Sequence, residues 1–384
     1  MAGPLAHDIA ITSELVRGAP ELERTGHGLL PHRLPARARA QCADAQLAVA
    51  ESQPTGVRLV GRTPATAIEL DTLRTRVGLR GAPLRADGVY DLVVDGELAG
   101  RASTSGGRVL WTDPATGDTE TEPGPAGTVR FSRLPDRDKV VEIWLPHNEI
   151  TELVALRADA AVEPEPVVRP VWLHHGSSIS AGSNAASPST TWPALAARAG
   201  GVELVNLGFS GGAMVDPFTA RAMRDTPADL ISVKLGINVV NADVMRLRAL
   251  GPAVHGFLDT VRDGHPSTPL LLVSPVLCPI HEDTPGPGAI DMSDGTLRFR
   301  ATGDPDERAA GKLTLGVVRE ELARVAAARD DPGLHLLDGR ELYGEADADE
   351  LPLPDRLHPD AATHARMGAR FAAFAFGPRG PFHR

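Results

Sequence analysis

Four short segments of the chain carry residue types that together could cleave an ester. The first, residues 171–182, is an apolar run that ends in a turn of small residues rich in serine. A serine at the carboxyl end of a central parallel strand faces the crevice in which open α/β sheets bind ligands. Small neighbours leave room for a carbonyl group to approach. The segment therefore predicts a nucleophilic serine, although a Ser/Gly-rich loop without catalytic function has a similar composition.

Asp355 and His358 stand near the C-terminal end, just before a stretch with a helical pattern at 361–374. An aspartate three residues before a histidine can turn its carboxylate towards one imidazole nitrogen and leave the other nitrogen for a serine hydroxyl. Serine acyl transfer requires a nucleophile, a base and a group that orients the base, whichever fold carries them. The pair is thus predicted to supply the base and its orienting group.

Two further segments follow apolar strand runs and offer hydrogen-bond donors to an oxyanion. Residues 205–212 can supply a backbone N–H group, and residues 234–238 end in Asn238, whose side-chain amide is a donor. In order and spacing, the four segments resemble the blocks of the SGNH (GDSL-type) hydrolase superfamily. The resemblance covers about residues 168–384 and implies a flavodoxin-like, three-layer α/β domain with a parallel sheet.

The resemblance also implies roles for individual residues. Ser178 matches the family nucleophile, and Asp355 with His358 matches the orienting acid and the base. The backbone of Ser178, the backbone of Gly211 and the side chain of Asn238 match the donors of the oxyanion hole. These five residues form the predicted catalytic machinery.

Two positions depart from the family pattern. Ser177 stands where the first block usually has aspartate, and Val239 stands where an aspartate usually follows Asn238. Neither of the replaced aspartates belongs to the triad. The chemistry is therefore expected to survive, with a rearranged set of hydrogen bonds around the oxyanion hole.

A proline-rich segment, residues 161–170, divides the chain into two patterns. After it, apolar strands alternate with helical segments, which predicts a parallel sheet covered by helices on both faces. Before it, period-two alternation with turn signals such as Asp95-Gly96 predicts an antiparallel, jelly-roll-like β-sandwich. We expect an accessory domain at 1–160, an extended linker at 161–170 and a catalytic domain at 171–384.

Several residues outside the four segments are candidates for substrate binding. Trp192 and Phe218 closely follow the first two strand segments and could line a pocket, with packing in the core as the alternative. The irregular stretch 278–306 is longer than most connections and is predicted to border the pocket. His281 lies in this stretch and is a third candidate. Together with the two acidic residues after it, His281 lacks partners at metal-ligand spacing.

Composition and local pattern limit the partners and cofactors. The net charge of −11 argues against binding to nucleic acid or to an anionic membrane surface. The chain has no apolar run of about 18 residues, and its first thirty residues lack the apolar core of a signal peptide, so we expect a cytoplasmic protein. His174 and His175 would point to opposite faces of a strand and could not share an ion, although one could support the site from behind. No metal or other cofactor is predicted.

The sequence therefore predicts a serine esterase that acts on a small-molecule ester or acyl donor through an acyl-enzyme. An O-acyltransferase is the first alternative, because transfer to a polyketide or sugar hydroxyl would use the same acyl-enzyme. A β-rich domain before an SGNH domain is similar to a group that includes carbohydrate esterases and an antibiotic-tailoring acyltransferase. The alternative from another class is a non-catalytic carbohydrate-binding protein.

Overall fold

The computed structural model describes residues 5–113, 116–293 and 295–383. Contacts divide the chain into two units, which do not follow a single cut in the sequence. The first unit contains most of the chain up to residue 168 and the second contains most of the remainder. Residues 37–50 nevertheless belong to the second unit, and residues 187–189 belong to the first.

The first unit is rich in strands. Its elements, with two short helices shared with the second unit, are β1 (His7–Ile9), β2 (Val16–Arg17), β3 (Glu21–Arg24), β4 (Leu29–His32), α1 (Ala36–Arg39), α2 (Ala45–Ser52), β5 (Arg58–Thr63), β6 (Ala67–Leu79), β7 (Tyr90–Val94), β8 (Glu97–Ala102), β9 (Arg108–Thr112), β10 (Thr119–Glu122), β11 (Gly127–Ser132), β12 (Lys139–Trp144), β13 (Ile150–Ala158) and β14 (Glu163–Pro164).

These strands form two sheets. One has the order β10-β9-β6-β13-β4-β3, with β1 beside β13 and β11 beside β6, and the other has the order β14-β5-β12-β7-β8, with β2 beside β5. Both sheets contribute to one apolar core, which includes Leu59 of β5, Leu70 of β6 and Ile143 of β12. The predicted β-sandwich is confirmed, with one difference: β6 and β9 pair in parallel.

Local turn chemistry explains two details of the sandwich. Asp95 and Gly96 connect β7 to β8 with φ values of 50° and 88°, the positive values that a type I′ hairpin requires. The predicted hairpin is therefore present. Part of the predicted linker is also ordered as a strand, since β14 pairs with β5.

The second unit alternates strands and helices. Its strands are β15 (Val171–Gly176), β16 (Glu203–Gly208), β17 (Leu230–Lys234), β18 (Leu270–Val273), β19 (Gly288–Asp291), β20 (Arg298–Ala301) and β21 (Leu334–Leu337). Its helices are α3 (Ser178–Ala181), α4 (Trp192–Gly200), α5 (Pro217–Asp225), α6 (Ile237–Asn241), α7 (Leu247–Gly264), α8 (Leu315–Ala327), α9 (Glu345–Glu350) and α10 (Ala361–Ala375). Short 3₁₀ turns lie at Pro188–Thr190, Pro279–His281, Pro305–Ala310 and Gly339–Glu341.

A parallel sheet with the order β16-β15-β17-β18-β21 forms the centre of this unit. This is the 2-1-3-4-5 order of flavodoxin-like folds, in which ligands bind where the strand order reverses, here between β15 and β17. The predicted fold class is confirmed. After β17, α6 ends at Asn241 and α7 begins at Leu247, and Asp243, with φ of 51°, lies between the two helices. Within the described ranges, no helix is long and apolar enough to cross a membrane.

Candidate active site

Ser178 lies at the sharp turn where β15 ends and α3 begins. Ser177 occupies the N-cap of α3, and its Oγ accepts the backbone N–H of Ile179 at 3.4 Å. The helix ends after one turn at Gly182, whose φ of 102° is a conformation that glycine adopts readily. The serine that replaces the usual aspartate therefore caps the short helix that presents Ser178.

Ser178, His358 and Asp355 form a continuous hydrogen-bonded line. His358 Nε2 lies 2.9 Å from Ser178 Oγ, and His358 Nδ1 lies 2.8 Å from Asp355 Oδ2. Asp355 Oδ1 accepts the backbone N–H groups of Leu357 at 2.9 Å and His358 at 2.7 Å, while Asn184 Nδ2 donates to Oδ2 at 3.3 Å. A carboxylate only accepts, so Nδ1 carries the proton and Nε2 is left to accept the serine proton.

The environment of Asp355 keeps this carboxyl group charged. Burial by itself would raise its pKa, but the hydrogen bond and charge of His358 and the backbone N–H groups of Leu357 and His358 outweigh burial and lower the pKa of Asp355 to about 2. The carboxylate is therefore ionised throughout the neutral range. It can hold the imidazole in one tautomer and stabilise an imidazolium.

Three N–H groups at the ends of neighbouring strands make no hydrogen bond to any described part of the chain. They are the backbone N–H groups of Ser178 and Gly211 and the side-chain Nδ2 of Asn238. The Oδ1 of Asn238 accepts the N–H of Ala213 at 3.1 Å, which fixes the plane of the amide. These are the donors that the sequence predicted for an oxyanion, and the arrangement leaves them available to a ligand.

The sequence matches a family model, the GDSL-like Lipase/Acylhydrolase family, over residues 175–366, which is half of the chain. The chain belongs to this family. The match begins at the end of β15 and extends into α10. It therefore contains all five residues of the predicted machinery.

Solved structures extend the likeness to the whole chain. A salicylyl-acyltransferase, SsfX3, from a tetracycline biosynthetic pathway shares 30% identity with a TM-score of 0.77, and 96% of each chain is covered. A GDSL-like lipase from Bacteroides ovatus shares 19% identity with a TM-score of 0.64, with 93% of each chain covered. An acetyl xylan esterase, Est2A, from Butyrivibrio proteoclasticus shares 11% identity with a TM-score of 0.53, with 97% of this chain and 98% of the esterase covered. The last two likenesses concern the fold alone.

No curated protein gives a significant sequence match. The family match and the chain-wide similarity to an acyltransferase identify this GDSL-type chain as an enzyme of the esterase/acyltransferase class. The alternative of a non-catalytic carbohydrate-binding protein is thereby set aside.

A buried histidine supports α3 of this GDSL-type site from behind. His174 Nε2 lies 2.8 Å from Ser180 Oγ, and its Nδ1 lies 2.7 Å from Ser232 Oγ. Burial, with smaller effects from His175 and Lys234, lowers the pKa of His174 well below its usual value, so the ring is neutral. His175 instead bonds Leu207 O at 2.7 Å.

Lys234, the last residue of β17, is buried beside the end of β15. A Cβ built on Gly176 would lie 3.4 Å from Lys234 Cβ. Burial, reinforced by the charge of Arg319, lowers the pKa of Lys234 to about 8. Within the described residues its ammonium makes no hydrogen bond or ion pair.

Phe299 is a site residue that the sequence did not single out. It lies on β20, within the long connection 278–306, and its backbone N–H donates to Asp355 O at 2.9 Å. Its ring centroid lies 5.4 Å from that of His358, with the rings nearly perpendicular. The connection therefore lies beside the triad, and its place at the border of the substrate pocket stays a prediction. The feature of the sequence that could have pointed to Phe299 is that it is an aromatic residue in a stretch rich in glycine, proline and charged residues.

His281 does not have the predicted substrate-facing position. Its side chain is fully buried, with Nε2 3.2 Å from Asn241 Oδ1 and Nδ1 3.1 Å from Thr284 O. It therefore ties the connection to the end of α6 and has no surface for a ligand. The neighbouring Glu282 pairs with Arg319 at 2.6 Å. The described residues contain no group of three or more His, Cys, Asp or Glu that could hold a metal ion.

Trp192 and Phe218 also differ from the substrate-binding prediction. Trp192 is fully buried, with its ring centroid 6.3 Å from Trp172 and 5.1 Å from Phe371. Phe218, on α5, is 7% exposed. The alternative that the sequence left open, packing in the core, applies to both, because large apolar side chains are stabilised most when they are removed from water.

Proposed function

We propose that this enzyme cleaves a small-molecule ester through an acyl-enzyme on Ser178. The observation that carries the proposal is the line of hydrogen bonds from Ser178 Oγ through His358 to Asp355, at 2.9 Å and 2.8 Å. A serine hydroxyl is a weak nucleophile unless a base takes its proton. The line supplies that base together with a carboxylate that orients it.

In the acylation step, Ser178 Oγ bonds to the ester carbonyl carbon while its proton passes to His358 Nε2. Asp355, charged at neutral pH, stabilises the imidazolium. The negative charge that develops on the carbonyl oxygen accepts hydrogen bonds from the N–H groups of Ser178 and Gly211 and from Asn238 Nδ2. Collapse of this intermediate breaks the bond to the leaving alcohol, which takes the proton from His358.

In the second step, an acceptor hydroxyl attacks the acyl-enzyme, again with His358 Nε2 as the base. If the acceptor is water, the products are a free acid and the restored Ser178. The second candidate function is O-acyl transfer to the hydroxyl of a small molecule. The 30% identity to a salicylyl-acyltransferase over 96% of both chains favours it.

Labelling with a fluorophosphonate tests the nucleophile. Ser178→Ala should abolish labelling and lower the turnover of p-nitrophenyl acetate by several orders of magnitude, as loss of a triad member does. Ser183→Ala, five residues along the same turn, is the matched control and should keep both. Retention of labelling and turnover by the Ser178 variant would refute the assignment.

Mass spectrometry of the products separates hydrolysis from transfer. The enzyme would be given a panel of activated esters, each with and without a sugar or a polycyclic phenol as acceptor. Free acid as the sole product would support the esterase. A new ester that dominates over free acid would support the acyltransferase, because the common acyl-enzyme then reacts with the alcohol faster than with water.

A further inference from the structure

Residues 37–50 lie in the sequence between strands β4 and β5 of the β-sandwich but belong to the contact unit that contains the active site. Two bonds to α5 hold the first half of this segment: Arg37 pairs with Asp225, and Arg221 donates to Gln41. The second half carries the first turns of α2. This segment is therefore part of the unit that contains the active site, although most strands of the β-sandwich follow it in the sequence.

The first turn of α2 contacts the glycine pair that follows β16. Gln46 Nε2 donates to Ser210 O at 2.8 Å. Leu47 is buried, and a Cβ built on Gly212 would lie 3.0 Å from its Cδ1. The backbone N–H of Leu47 donates to Asp44 Oδ1 at 2.7 Å, which caps this turn and holds it in place.

The bond from Gln46 has a direct consequence for Gly211. Ser210 C=O and Gly211 N–H are the two ends of one planar trans peptide, so they point in opposite directions. A donor that holds the carbonyl therefore sets the direction of the N–H. Gly211 has φ of 71°, and a Cβ there would lie 3.0 Å from Gln46 Cγ, so both the backbone and Gln46 favour glycine.

The same loop is held from its other side by Asn238, whose Oδ1 accepts the N–H of Ala213 at 3.1 Å. Two side-chain amides thus fix the loop on either side of Gly211, whose N–H finds no acceptor in the described chain. We propose that Gln46 is a positioning residue of the oxyanion hole, which acts by orienting the Gly211 N–H. This inference rests on the proposed function, because it assigns the Gly211 N–H to the oxyanion.

Gln46 is exposed, so its replacement should leave the fold intact. The test uses the full chain with Gln46→Ala and with Gln46→Glu, which keeps the length of the side chain but removes the donor. Gln41→Ala is the matched control, an exposed glutamine of the same segment whose side chain bonds Arg37 and Arg221 instead. Active sites are counted with a fluorophosphonate, and folding is checked by thermal unfolding.

Both Gln46 variants should have a kcat for p-nitrophenyl acetate about tenfold below that of the wild type, with KM unchanged. The reason is that a misdirected N–H group stabilises the transition state less, whereas it contributes little to the binding of the substrate. Affinity for a phenylboronic acid, whose serine adduct is tetrahedral and anionic, should fall by a similar factor. The Gln41 variant should match the wild type. A mere loss of folded protein would lower the count of active sites and leave kcat per site unchanged.

If both Gln46 variants keep the wild-type kcat while Ser178→Ala and Asn238→Ala are inactive, this inference is overturned and the proposed function stands. A rise in KM without a change in kcat would overturn it too, by placing Gln46 in ground-state binding. Full activity of Ser178→Ala would overturn the proposed function and the inference together.

Discussion

Replacement of Asp355 by asparagine should disable the enzyme while it leaves the shape of the site almost unchanged. Asp355 Oδ1 accepts two backbone N–H groups, of Leu357 and His358, and Oδ2 accepts Nδ1–H of His358 and the amide of Asn184. A carboxamide has one oxygen and one NH₂ group in place of the two oxygens. Its single oxygen can accept either the two backbone N–H groups or Nδ1–H of His358, but not both.

If the amide oxygen faces the two backbone N–H groups, its NH₂ donates to His358 Nδ1 and forces the proton onto Nε2, which can then no longer accept the proton of Ser178. The opposite orientation leaves two buried donors unpaired, at about 1–3 kcal/mol each. The unproductive orientation should therefore dominate. With the lost stabilisation of the imidazolium, kcat should fall about 10³–10⁴-fold, equivalent to about 4–5.5 kcal/mol.

The assay is hydrolysis of p-nitrophenyl acetate by Asp355→Asn, with the wild type and Asp360→Asn in parallel. Asp360 caps α10 by accepting the N–H of Thr363 at 2.8 Å, a role that asparagine fills equally well. The Asp360 variant should keep its rate and its thermal stability. A kcat of the Asp355 variant within tenfold of the wild type would refute the tautomer argument.

Three further changes probe other parts of the site. Asn238→Ala should lower kcat by about 10²–10³-fold with little change in KM, and a rise in KM alone would contradict its role as an oxyanion donor. Phe299→Ala should change the ratio of kcat/KM values for short and long acyl esters about tenfold while fluorophosphonate labelling persists. An unchanged ratio would show that Phe299 does not contact the acyl group. Lys234→Met should raise the free energy of urea unfolding by about 3 kcal/mol at pH 7, because the lysine pKa is lowered to about 8 in the fold. Between about pH 8 and 10.5 the lysine is protonated in the unfolded chain but not in the folded one, so the wild type should gain stability as the pH rises through this range. The difference in unfolding free energy between the variant and the wild type should therefore shrink, and a difference that grows with pH would contradict this account.

Local sequence predicted the elements that depend on neighbouring residues. The hairpin at Asp95-Gly96 follows from the positive φ that these residues tolerate. The contact between Asp355 and His358 spans three residues, and the turn before α10 provides it. The α/β alternation predicted the parallel sheet, because crossover connections leave few other arrangements.

Predictions that depended on distant contacts were less accurate. Trp192 and His281 have types and positions that fit a pocket lining, yet Trp192 packs with Phe371 and His281 bonds Asn241. Nothing in the chain near either residue indicates which surface it will meet.

The sequence by itself determined the kinds of groups in the site and their order along the chain, because a nucleophile at a strand end and an acid–base pair in one turn are local features. Only the tertiary structure decided which distant groups support them. Phe299 meets His358 across 59 residues, and Gln46 meets Ser210 across 164. The physical reason is that such contacts depend on how whole elements pack, and packing is selected by the burial of many side chains together and is not encoded at either contact residue.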